Sequence, residues 1–548
     1  MGYKEDKEAF VSHATGGTVS RINAVSLVAV TSYALWTVAH RRWLANLSKS
    51  DPAVPLVEFT LLVLPLVLSL TLLSAHPYLV NFALTLVASL WSRLPERESL
   101  TPPLSPTFSK KGPDRDDDDK RRWPAAPQPF ARPFVTSYRA IMMVMTVLCI
   151  LAVDFPAFPR EFAKAESWGT SLMDLGVGSF VFSLGLVAAL PFLRQAALPR
   201  TAATSTLKSY WASLARTARK TVPLVALGLV RVVMVKGVDY PEHVTEYGVH
   251  WNFFFTLALL PVFGEAVARV AVARGWDVHA AGLGVALLHE VLLRTTGLQS
   301  WALEAPRTGL VSQNKEGLTS FPGYLAIYLV GLATGLYVLP PSPSFFRLHA
   351  LPPSASSLSP STTASSSAAE DRRLADKRAK AADPHRVRDG KRAEWLSSAA
   401  VCFWAAFGLV RLATPGGVSR RLANAPYVLW TAAFNTSFLV LYLAVHHLGG
   451  SAAARAPTTA SSLSPSAAAR AASPPRDGAV LPPPRLFSAI NKNGLAVFLV
   501  ANLLTGLCNV SLSTLYASDA LALGVVTGYA ACVCAVAWLL RGTRVKLG

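Results

Sequence analysis

The sequence predicts an all-α polytopic membrane protein, with about thirteen transmembrane helices joined by disordered hydrophilic linkers. Three observations carry this. Of 548 residues, 52% are hydrophobic and only 15% charged, with a mean hydropathy of +0.36, a balance that belongs to multi-spanning membrane proteins. Apolar runs near the roughly 20 residues that one span requires recur along the chain. Between them lie three polar stretches without apolar periodicity. Residues 1–548 therefore read as one multi-spanning membrane domain interrupted by linkers.

The elements follow in order. A short polar arm, Lys4 to Glu8, precedes the first apolar run, Ile22 to Val38. That run starts too far in and lacks a small-residue cleavage site, so it reads as a retained helix and not a signal peptide. Further runs follow at 56–74, 77–93, 134–153, 171–193, 221–236, 251–272, 278–297, 322–340, 395–412, 426–446, 493–513 and 519–540. The run at 221–236 is the shortest, and Arg231 interrupts it. Residues 94–132 carry prolines, bases and a short acidic run from Asp114 to Asp119. Residues 341–393 and 449–485 are rich in Ser, Pro and Ala. All three read as disordered linkers.

A formal net charge of +20 would suggest nucleic acid for a soluble chain. Here the bases sit mostly in loops, so they report orientation and anionic lipid; membrane lipid is the expected partner and nucleic acid is not. All five cysteines lie in apolar runs, and Cys532-Val-Cys534 lacks metal-ligand spacing, so they read as small hydrophobes. Loops bearing Arg41, Arg42 and Lys49, then Arg93 to Arg122, then Arg194 to Lys220, alternate with loops nearly free of bases. By the positive-inside rule the N-terminus is lumenal and the C-terminus, with Arg541, Arg544 and Lys546, cytosolic. Arg307, Arg420 and Arg421 fall in lumenal loops and run against that count.

The richest stretch is Asp154 to Asp174, held between two apolar runs. Pro156 and Pro159 disfavour a continuous helix there. Asp154, Arg160, Lys164 and Asp174 are charged groups at a membrane helix end, and such groups are expensive unless they function or pair. Two further polar loops fall on the same lumenal face: one contains Asp239, Glu242, His243, His250 and Asn252, the other Asn314 and Lys315. His243 and His250 have H-x6-H spacing on a proline-containing loop, unlike a helical zinc site, so substrate hydrogen bonding is expected and metal is not. Glu265, His289 and Glu290 are intramembrane groups open to a functional or a paired structural reading. Asn435, Asn502 and Asn509 read as interhelical glue. No nucleophile elbow, Walker motif or dinucleotide fingerprint is present. The residues alone thus reach a multi-spanning protein with a charged site on one membrane face.

The stretch Asp154-Phe-Pro-Ala-Phe-Pro-Arg160-Glu-Phe-Ala-Lys164-Ala-Glu-Ser-Trp168-Gly-Thr-Ser-Leu-Met-Asp174-Leu-Gly-Val-Gly-Ser-Phe180 resembles the signature of the GPI-anchor inositol acyltransferases, the PIG-W family, called GPI-anchored wall transfer protein in fungi. The likeness runs from Glu8-Ala-Phe-Val-Ser to Asn502-Leu-Leu-Thr-Gly-Leu and lapses only in the linkers. It implies transfer of a fatty acyl group from acyl-CoA, such as palmitoyl-CoA, to the inositol ring of glucosaminyl-phosphatidylinositol at the endoplasmic reticulum membrane, with no further cofactor. A sugar hydroxyl needs a positioned base and a thioester needs its developing oxyanion stabilised. On this resemblance Asp154 is the base, Lys164 orients it or stabilises the oxyanion, and Arg160 meets a phosphate. Trp168 and Asp174 shape the pocket. A polar-lipid transporter or flippase is the rival class. Acyl-CoA is expected from the cytosol and the charged loop is expected in the lumen, so either the loop dips inward or the donor crosses through the helical bundle.

Overall fold

The computed structural model describes residues 3–44, 47, 51–94, 130, 132–197, 207–237, 244–350, 364–382, 389–451 and 481–545. Among them there is no β-strand, and the chain is a bundle of helices. A short amphipathic helix α1 (Tyr3–Val11) is followed by α2 (Val19–Arg42), α3 (Ala53–Leu70, broken at Val63), α4 (Pro77–Arg93), α5 (Pro133–Ala152), α6 (Leu172–Ala196) and α7 (Leu207–Gly237). Then come α8 (Phe253–Ala273), α9 (Val278–Thr295), α10 (Lys315–Val338), α11 (Asp389–Ala413), α12 (Ala425–Ser451), α13 (Gly494–Ser511) and α14 (Asp519–Leu539).

Among the described residues ten of these are long and apolar enough to cross a membrane, so the protein is multi-pass. The other three expected runs are helical too, as α4, α7 and α9. However, α4 has only 17 residues, and α9 carries His289, Glu290 and Arg294. Side chains with hydrogen-bonding oxygens start several helices. Thr18 accepts from Arg21 N, Ser171 from Asp174 N, Asn252 from Phe254 N and Ser518 from Leu521 N.

The linker expected at 341–393 is not structureless throughout. Phe345–Ala350 and Ala364–Ala382 are helical, and α11 already begins at Asp389. Ala364–Ala382 is rich in Ala, Lys and Arg, all strong helix formers, and it lacks the apolar run that would place it in the membrane. Most of 94–132 and of 449–485 lies outside the described residues.

Helix α10 is the central post: 83% of its apolar stretch is buried, against 11% for α13 at the periphery. It packs closest on α6 through glycines. A Cβ at Gly185 would strike the Tyr328 carbonyl, one at Gly331 the Phe182 carbonyl, and one at Gly335 the Leu186 carbonyl. Small residues at this spacing let two membrane helices approach backbone to backbone, where van der Waals packing holds them. The α6–α10 pair fixes the start of α6, and with it the loop that precedes it.

Candidate functional site

Helix α5 stops at Ala152, as Pro156 and Pro159 demand, and the chain turns through a 3-10 turn, Arg160–Phe162, before α6 begins at Leu172. This loop is fastened from two sides. Gly17 N donates to Thr170 O (2.7 Å), Glu166 N to Ala14 O (2.9 Å), and Arg21 pairs with Glu161 at 2.9 Å. Gly16, at φ +77°, runs so close to Thr170 that a Cβ would meet the Thr170 carbonyl. On the other side Gly169 N donates to Val418 O (2.8 Å) and Ser419 Oγ to Ser167 O (2.6 Å). The 244–252 and 305–316 segments join the same end through Val249 N to Gln313 O (2.9 Å). The polar loops therefore converge on one end of the bundle.

Beneath this cap lies a cavity of about 1510 Å³, running from the loop down between α5, α6, α7, α8 and α13. Its walls are largely apolar, with Met142, Met145, Phe180, Phe254 and Phe498 among them, while Asp154, Arg160, Lys164, Glu246, His250 and Arg420 line its charged parts. A long apolar cleft with a few convergent polar groups is the usual form of a small-molecule or lipid site.

Asp154 is buried, with 6% exposure. Its Oδ2 accepts from Asn509 Nδ2 (2.8 Å), and its Oδ1 lies 3.4 Å from Lys7 Nζ, which in turn donates to Asn509 Oδ1 (3.0 Å). Lys164 is expected to orient Asp154 or to stabilise the oxyanion; no ion pair joins it to Asp154, and its Nζ lies 2.6 Å from Glu246 Oε1. The cation that faces the carboxylate comes from α1. That helix reaches its place because Phe10 stacks under Arg160, with the guanidinium carbon 4.1 Å from the ring centre, and because Tyr3 meets Tyr516 edge to face.

Arg160 donates Nη2 to Val153 O (2.7 Å), while its Nε and Nη1 are buried without a partner. Burial lowers this guanidinium below its usual pKa, and the nearby Asp154 charge opposes the shift. It is the group in the loop with donors to spare.

Several expected site residues serve the cap rather than the cavity. Asp174 is fully buried and ion-paired to Arg420 (Nε–Oδ1, 2.5 Å), and it also accepts from Ala165 N (3.0 Å) and Ser171 Oγ (2.8 Å). It does not line the cavity, but it holds Arg420, which does. Burial opposes the Arg420 charge, yet Asp174 and Glu246 outweigh it and raise the guanidinium well above its usual pKa. Trp168 is half-buried away from the cavity, beside Leu293, Ala302 and Leu422 and against Gly416. Asn314 Oδ1 accepts from His250 N (2.9 Å) and Trp251 N (2.8 Å), and Lys315 Nζ donates to Ala305 O (2.6 Å); neither lines the cavity. Asn252 and His250 do line it, although Asn252 also caps α8 and bonds Gly228 O (3.0 Å). Asp239, Glu242 and His243 lie outside the described residues.

The intramembrane groups Glu265, His289 and Glu290 are all paired. Glu265 accepts from Ser213 and Arg269, Glu290 from Arg294 and Ala425 N, and His289 bonds Leu422 O (2.9 Å). The arginines that ran against the orientation count are paired as well: Arg307 and Arg421 both hold Glu316, and Arg420 holds Asp174. Glu316 offsets the charge of only one of its two arginines, so a net positive charge stays in these loops and the orientation count keeps its dissent. Sequence reasoning passed over Lys7, Arg420 and Asn509 as partners. Lys7 lay in an arm read only as polar, and the contacts that give it meaning are far along the chain.

The chain matches the family model GWT1 over residues 3–540. It is 40% identical over 556 residues to GPI-anchored wall transfer protein 1 of Aspergillus oryzae, covering 100% of this chain and 99% of the relative. It is 39% identical over 558 residues to the protein of that name in Emericella nidulans, with 100% and 99% covered. The protein of that name in Cryptococcus neoformans var. grubii is 35% identical over 660 residues, with both chains fully covered.

Proposed function

The chain belongs to the GWT1 family, and from that premise we propose that it is an acyl-CoA-dependent O-acyltransferase of GPI-anchor biosynthesis, acting on the inositol ring of glucosaminyl-phosphatidylinositol in the endoplasmic reticulum membrane. The observation that carries the reading is Asp154: a buried carboxylate at the charged end of a long apolar cavity, held by Lys7 and Asn509 and close to the unpartnered donors of Arg160. An apolar acyl chain suits the apolar walls, and a polar ring suits the loop end.

In the reaction, an inositol hydroxyl gives its proton to Asp154 as its oxygen attacks the thioester carbonyl. A tetrahedral oxyanion forms, and a cation on the cavity wall stabilises it. Lys164 is the candidate, because Asp154 is already positioned by Lys7 and Asn509. Collapse breaks the carbon–sulfur bond, and the CoA thiolate leaves with the proton from Asp154. Arg160 offers a free N–H, from Nε or Nη1, to the phosphodiester that joins inositol to the lipid, and its fixed positive charge suits a phosphate oxygen. His250 and Asn252 face the same space and suit hydroxyls of the sugar.

The experiment is mass analysis of the lipid after incubating purified protein with palmitoyl-CoA and glucosaminyl-phosphatidylinositol. The expected result is a product heavier by one acyl group, formed only with the thioester. A polar-lipid transporter or flippase would move the lipid and leave its mass unchanged, and that outcome overturns this reading.

A further inference from the structure

Beyond Arg160 and Lys164, which the chemistry at the loop uses, the cavity is lined by Arg139, Lys220, Arg231 and Arg420. Arg139 lies within the membrane helix α5 and lines the same cavity as Asp154. Its Nε donates to Ser183 Oγ at 3.3 Å, and among the described residues no carboxylate pairs with it. An unpaired guanidinium at such a depth is costly in a bare apolar protein, and an anionic ligand removes that cost. The helix rise sets Arg139 about 20 Å from the Ala152 end of α5, and so from the loop that bears the base. Lys220 of α7 lines the wall as well. Gly228 is level with Asn252 at the loop end, and Ser213 with Glu265 deeper in, so Lys220 falls between these levels.

We propose that Arg139 is the anchor for the diphosphate of the acyl-CoA donor, so that the donor lies along the cavity with its nucleotide at the Arg139 end and its thioester beside Asp154. The proposal rests on the acyltransferase reading. Two phosphate-bearing substrates meet in this reaction, and their geometry tells them apart. The phosphodiester of the lipid is bonded to the inositol ring itself, so it must stand beside the base, within reach of Arg160. A phosphate about 20 Å from the base belongs to a substrate whose phosphates are separated from the reacting carbon by a long arm. The pantetheine arm of CoA is such a spacer, and the thin polar arm fits a passage that has few charges between its ends. A donor bound in this way reaches the loop from the opposite face of the bundle, with no need for the loop to dip inward.

The test compares two donors: palmitoyl-CoA, and palmitoyl-N-acetylcysteamine, which keeps the thioester and has no phosphate. Arg139→Met should raise the KM for palmitoyl-CoA roughly 10- to 100-fold, in line with the loss of charge-assisted bonds to phosphate. It should leave the KM for glucosaminyl-phosphatidylinositol unchanged and match the parent protein with the truncated donor. Arg139→Lys keeps the charge and should recover part of the loss; Ser183→Ala, which frees the guanidinium from its tether, should raise the same KM a few-fold. The assignment is overturned by an unchanged palmitoyl-CoA KM in Arg139→Met, by an equal defect with both donors, or by a rise confined to the lipid acceptor. If the parent protein acylates with neither donor, the acyltransferase reading itself falls, which separates the two failures.

Discussion

Lys7 Nζ and Asp154 Oδ1 face each other at 3.4 Å, and both are tied to the one amide of Asn509. The candidate base is thus positioned by the first helix of the chain and by the last but one. Asp154→Asn should lower acyl transfer by roughly 10²–10⁴-fold with abundance unchanged. Lys7→Met should lower kcat by about tenfold or more while leaving both KM values near normal, because it misplaces the base without touching substrate. The double variant should be little worse than Asp154→Asn, since the two residues act as a unit. Steady-state kinetics on the four proteins checks this, and additive losses would break the link.

Lys164→Met should depress kcat as well, through the oxyanion rather than the base. Its effect should then multiply with that of Lys7→Met instead of merging with it. A merged effect would return Lys164 to the role of orienting Asp154.

Asp174→Asn takes from buried Arg420 its nearer anion and leaves only Glu246, at 3.8 Å. Breaking one side of a buried pair costs about 3–5 kcal/mol, so the variant should unfold at clearly lower temperature in detergent. The fraction that folds should keep its substrate KM values, because Asp174 does not line the cavity. A stable Asp174→Asn protein with altered KM would make it a substrate residue after all.

Gly331→Val should abolish folding, since its Cβ would collide with the Phe182 backbone, where no side chain can move aside. Gly506→Ala offers the control: nothing lies near its Cβ, so expression in membranes should be normal.

Orientation can be read with protease in intact microsomes. A tag inserted near Arg115 should be cleaved, and one at the N-terminus protected, if basic loops mark the cytosolic face. Protection of the linker tag would reverse the two faces.

The charged stretch was legible because Asp154, Arg160 and Lys164 interrupt apolar runs, where physics allows few idle charges. What could not be read was which polar residues face a cavity and which tie loops together. Asp174, Trp168, Asn314 and Lys315 share the composition of site residues, but their partners (Arg420, Gly416, the His250 amide and the Ala305 carbonyl) lie on other segments. Spacing along the chain carries no trace of such pairings. Lys7 was hidden for the same reason. Arg139 was visible in principle as a lone base inside the 134–153 run, and its significance came only from the cavity. The helices themselves followed from hydropathy, α4, α7 and α9 included, although these three are not among the ten long and apolar enough to span.

The docking of α1 has a consequence for the order of biosynthesis. Lys7 meets Asn509, Tyr3 meets Tyr516, and Asp6 accepts from the Tyr516 hydroxyl, so during translation these residues wait for partners made far later in the chain. During translation Asp154 is inserted long before its amide partner exists, and until α13 is in the membrane α1 has its Phe10–Arg160 contact but not the Lys7–Asn509 one. A chain halted before α13 holds the signature loop in full and still lacks the Asn509 amide beside Asp154, so on the acyltransferase reading it should be inactive.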